Sequence, residues 1–63
     1  MTIDAFIRQY KTTVLLYNQL DIQNESIDSA IKCIALEYDN GKIGSAEAHL
    51  IELTDKLIEI LES

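Results

Sequence analysis

Apolar residues recur along this 63-residue chain at alternating spacings of four and three, the signature of one face of an α-helix. Ile3, Ile7, Tyr10, Val14 and Tyr17 form a first stripe, which Phe6 and Leu20 widen. Ile27, Ile31, Ile34 and Tyr38 form a second, and Ala46, Leu50, Leu53, Leu57 and Ile60 a third. The pattern predicts three helices over approximately 2–20, 26–40 and 45–61, in a single helical domain spanning 1–63. Short polar connectors favour antiparallel neighbours, so the expected fold is an all-α antiparallel bundle. Asn24 or Ser26 is the expected N-cap of the second helix, Gly41 its left-handed stop, and Ser45 the N-cap of the third.

A second set of apolar residues lies away from these stripes: Leu15, Leu16, Cys33, Leu36, Ile51 and Ile58. A solitary bundle has little room to bury them. Domains of about 60 residues bury only about 60% of the surface their unfolded chains expose, and small scaffolds lean on disulfides, metals or association. One cysteine forbids an internal disulfide, and one histidine leaves few metal ligands. Association remains. The expected contact residues are Leu15, Leu16, Leu36, Ile51 and Ile58, with Glu52, Asp55 and Glu59 supplying charge. A homo-oligomer, with a dimer favoured, would complete the bundle. One arrangement left open pairs the first helix with its counterpart in another subunit, the other two forming a hairpin.

Charge narrows the partner. The formal charge is −6 and the pI about 4.4. Arg8, Lys11, Lys32, Lys42 and Lys56 are too few and too scattered to neutralise phosphates, which argues against direct nucleic-acid binding and against anionic membranes. A basic protein surface suits the chain better. No apolar run approaches the roughly 20 residues of a membrane span. The start, MTIDAFIRQYK, lacks the form of a secretory signal, and an unpaired Cys33 fits a reducing compartment, so a cytoplasmic location is expected.

Several short motifs invite a chemical reading and fail on residue type. Asp39 to Glu47 resembles the second half of an EF-hand loop, with Gly41 as its turn glycine and Glu47 as its twelfth residue. Leu36 and Tyr38 would then hold the first and third ligand positions, and neither supplies a carboxylate. Gly41-Lys42 lacks the spacing of a phosphate loop. Asp28-Ser29-Ala30 resembles the attachment site of acyl carrier proteins, without the glycine before it or the Leu or Ile after it; capping explains both polar residues. His49 has no second histidine to share a metal with, and Cys33 has only Lys32 beside it to activate a thiol. The tyrosines lie on stripes, as core residues with hydroxyls at the rim. No cofactor, metal or catalytic group is expected.

One family resemblance stands beside this reading. Ser45-Ala46-Glu47-Ala48-His49, followed by Glu52-Leu53-Thr54 and Lys56-Leu57, is similar to a late helix of the Hha/YmoA family, and Asp4 to Lys11 resembles that family's opening helix. The resemblance covers about a third of the chain and implies a small helical modulator of a nucleoid-associated protein. The family's arginine-rich character is absent here. From the residues themselves, the expected function is a non-enzymatic interaction module, a small acidic regulator or inhibitor that occludes a partner protein. A purely structural oligomerisation subunit is the alternative.

Overall fold

The computed structural model describes residues 1–63 as three helices and no strands: α1 (Ile3–Gln19), α2 (Glu25–Asp39) and α3 (Ile43–Glu62). α3 has 20 residues, about 30 Å at 1.5 Å per residue, and accounts for most of the 33 Å long axis. It is the element both others pack on. α2 packs on α3 most extensively, α1 packs on α3 less, and α1 and α2 barely meet.

Each helix end has a local cause. Thr2 caps α1, its hydroxyl accepting the Ala5 N–H at 3.2 Å, so the helix begins one residue later than periodicity suggests. Asn24 caps α2 through its side-chain oxygen and the Ile27 N–H at 3.2 Å. Just outside that cap, the Tyr17 hydroxyl accepts the Asn24 N–H at 3.1 Å and donates to the Asn24 carbonyl at 3.3 Å, which fastens the α1–α2 connector. Asp21 in that connector holds φ 52°, a left-handed conformation that Asp tolerates better than most residues.

The α2–α3 turn is a Schellman motif. Lys42 N–H reaches back to the Glu37 carbonyl at 2.8 Å, and Gly41 N–H to that of Tyr38 at 3.1 Å. Gly41 takes φ 80°, as expected of a glycine after a helix. The turn is complete at Lys42, so α3 begins at Ile43 and not at Ser45. Lys42 occupies the cap position without a side-chain hydrogen bond, and Ser45, expected as the cap, lies inside the first turn, where its hydroxyl donates to Glu37.

The core comprises Phe6, Tyr17, Ile27, Ile34, Ala46, Leu50, Leu53 and Leu57. The second and third stripes supply six of these. The first stripe is buried in part: Tyr17 and the flanking Phe6 are in the core and Tyr10 and Leu20 pack beside it, but Ile3 and Ile7 stand in solvent, and the buried face is turned toward Thr13 and Leu16. The reason is polar. Thr13, only 1% exposed, meets Thr54 of α3 with their oxygens 3.0 Å apart. Each hydroxyl lies 2.8 Å from a carbonyl one turn back in its own helix, Thr13 from Gln9 and Thr54 from Leu50. The Gln9 amide donates across both oxygens, at 3.4 Å to Thr13 and 3.2 Å to Thr54. Pairing satisfies the group, and no buried side-chain polar atom is left without a partner.

Candidate interaction surface

Of the five apolar residues expected at an interface, four stand in solvent: Leu15, Leu36, Ile51 and Ile58. Leu16 does not. It packs against the core, because the rotation of α1 that buries Thr13 brings Leu16 inward as well. Leu15 and Leu36 lie exposed on α1 and α2, on two different helices. Ile51 and Ile58 are two turns apart on one side of α3, and Leu61, one turn beyond Ile58, extends the strip. Glu52, Asp55 and Glu59 are exposed and run along the adjoining side of the same helix. α3 therefore presents an apolar strip beside an acidic one.

A second exposed apolar region escaped the sequence reading. Period alone puts Ile3 and Ile7 in the core, yet both are exposed, and Ile7 stands on the side of α1 that faces α2. With Phe6, Tyr10, Ala35 and Tyr38, Ile7 borders a groove of about 260 Å³. Its floor is aromatic. Phe6 stacks on Tyr38 with centroids 5.0 Å apart and planes at 5°, and Tyr10 lies 6.5 Å from Phe6 with planes at 17°. The available signal was the run of aromatic residues at 6, 10 and 38, bulky enough to hold two backbones apart.

Between α2 and α3 lies a second depression, of about 280 Å³, with Cys33, His49, Glu52 and Lys56 around Ile27 and Leu53. At its edge the Glu37 carboxylate gathers three side chains. Ser45 donates to Oε2, His49 Nδ1 is 2.6 Å from Oε1, and the Cys33 thiol points to Oε1 at 3.9 Å. The Ser45 and His49 hydrogen bonds hold the Glu37 carboxyl below its ordinary 4.5, and the same bond from Glu37 raises His49 above 6.5. In a nucleophilic relay the imidazole would face the serine. Here the carboxylate stands between them, and the cluster ties the end of α2 to the start of α3. No three His, Cys, Asp or Glu side chains converge as a metal would require. No helix is long and apolar enough to cross a membrane.

No protein-family model, curated protein or solved structure matches this chain. The likeness to Hha/YmoA proteins rests on the residues quoted for it alone.

Proposed function

We propose that the chain is a non-enzymatic protein–protein interaction module, an acidic regulator or inhibitor that covers the surface of a partner protein. One observation carries this reading. Eight apolar residues form the core, and eight large ones stand in solvent: Met1, Ile3, Ile7, Leu15, Leu36, Ile51, Ile58 and Leu61. Contiguous apolar surface beside charged residues marks association sites, and a domain this small gains stability when such surface is covered. The Ile51–Ile58–Leu61 strip supplies contact area. The neighbouring Glu52, Asp55 and Glu59 favour a basic partner and speed its approach.

Affinity capture with the chain as bait tests the reading, using wild type, Ile51→Glu/Ile58→Glu and Glu52→Lys/Asp55→Lys/Glu59→Lys side by side. All the substituted positions are exposed, so helical circular dichroism should be unchanged. The expected result is one protein with a basic surface, retained by wild type and lost by both variants, more weakly held as salt rises. A wild-type bait that retains nothing, or variants that retain the same protein, overturns it.

A further inference from the structure

We propose that the groove between α1 and α2 is the contact surface of a homodimer, closed by the same groove of a second copy of this chain. The proposal rests on the chain being an interaction module, and it assigns self-association to a face separate from the acidic strip of α3. Two observations select a second copy as the occupant.

The first is the distribution of charge. α1 carries Arg8 and Lys11 against Asp4 alone, so it is cationic within a chain of net charge −6. α2 carries Glu25, Asp28, Glu37 and Asp39 against Lys32, and is anionic. Of these charges Lys11 and Asp39 border the groove, one on each wall, so a two-fold contact that sets the α1 wall of each copy against the α2 wall of the other pairs opposite charges. The acidic side of α3 would repel its own copy. Of the faces described, this groove is the self-complementary one.

The second is its rim. Lys11 and Asp39 border the groove, and neither has an ionic partner within the chain, whose only ion pairs are Met1–Glu47 and Glu37–His49. Asp39 follows Tyr38, which stacks on Phe6, whereas Lys11 lies five residues, about 7.5 Å, further along α1. The two charges therefore stand on opposite walls and at different heights. A two-fold axis lying in the contact plane, midway between them and inclined to the groove, brings each Lys11 to the Asp39 of the other copy, as an isologous contact demands. Between them, Ile7, Tyr10 and Tyr38 supply apolar and aromatic area of the kind that dominates binding energy.

Sedimentation equilibrium of the full chain from micromolar to millimolar concentration, with circular dichroism as a control for folding, decides the matter. Wild type should dimerise. Ile7→Glu should raise the dissociation constant by about tenfold or more. Lys11→Asp and Asp39→Lys should each weaken the dimer by about fivefold at low salt, and the double exchange should restore it to within about twofold of wild type. Ile58→Glu, on the α3 strip, should leave the dimer intact. A monomer at every concentration overturns the homodimer and leaves partner capture by α3 standing. A dimer broken by Ile58→Glu and indifferent to Ile7→Glu overturns the groove, and so does a double exchange that fails to rescue.

Discussion

Where α2 meets α3 the contact is hydrocarbon: Ile27, Ile34, Leu50, Leu53 and Leu57 lie in one buried cluster, below a turn closed by two backbone hydrogen bonds. Where α1 meets α3 the centre of the contact is a pair of threonines and a glutamine amide. Burial of apolar area is non-directional and tolerates small shifts. A hydroxyl seam is satisfied in one register and at one rotation only, so it fixes the seating of α1 at a modest gain in free energy. The hairpin supplies most of the adhesion, and α1 is located by chemistry.

Substitutions can push this contrast to failure, beginning at the hairpin. Leu50→Ala removes a side chain with no exposure at all and should cost about 2–5 kcal/mol, enough to leave the chain largely unfolded at ambient temperature; urea denaturation checks this. At the seam, Thr13→Val keeps the shape and deletes the hydroxyl, leaving the Gln9 amide an acceptor short. A loss of about 1–2 kcal/mol is expected, with amide hydrogen exchange accelerated in α1 well before α2 and α3, and Thr13→Ser should retain most of the stability. Equal acceleration in all three helices would mean that α1 is not a separable unit.

Gly41→Ala tests the turn. Nothing lies within 4 Å of the added methyl group, so only the φ of 80° opposes it, at about 1 kcal/mol. The Glu37–His49 pair makes the smallest contribution, being a solvent-facing contact. Glu37, with its pKa depressed, stabilises above its ordinary 4.5 and loses this as pH falls through its folded value. His49, with its pKa raised, stabilises fully below 6.5 and loses this as pH rises through its folded value. Thermal midpoints should therefore peak between those two values, and His49→Gln should flatten the upper side of the peak.

Three helices, their order and their approximate ends were legible because apolar period, an N-cap asparagine and a glycine stop are local signals. The phase of α1 was not. The stripe shares Tyr17 with the buried face, but its Ile3 and Ile7 look more apolar than Thr13 and Gln9, which read as solvent residues until Thr54 arrives from 41 positions away. One misplaced face then propagated. It put Leu16 outside, where it does not stand, and Ile3 and Ile7 inside, so the groove beside α2 went unseen. Leu15, Leu36, Ile51 and Ile58 lie well off every stripe, and their exposure was readable from spacing alone. The Glu37–Ser45–His49 cluster was not, since it depends on how a three-residue turn folds one helix end over the next.

The place of α3 bears on how the chain folds. α1 and α2 touch through the Phe6–Tyr38 stack and little else, and most of the surface that covers each of them belongs to α3. An α1–α2 pair without α3 has no core of its own, so the hairpin of α2 and α3 is the smallest part of the chain able to form first.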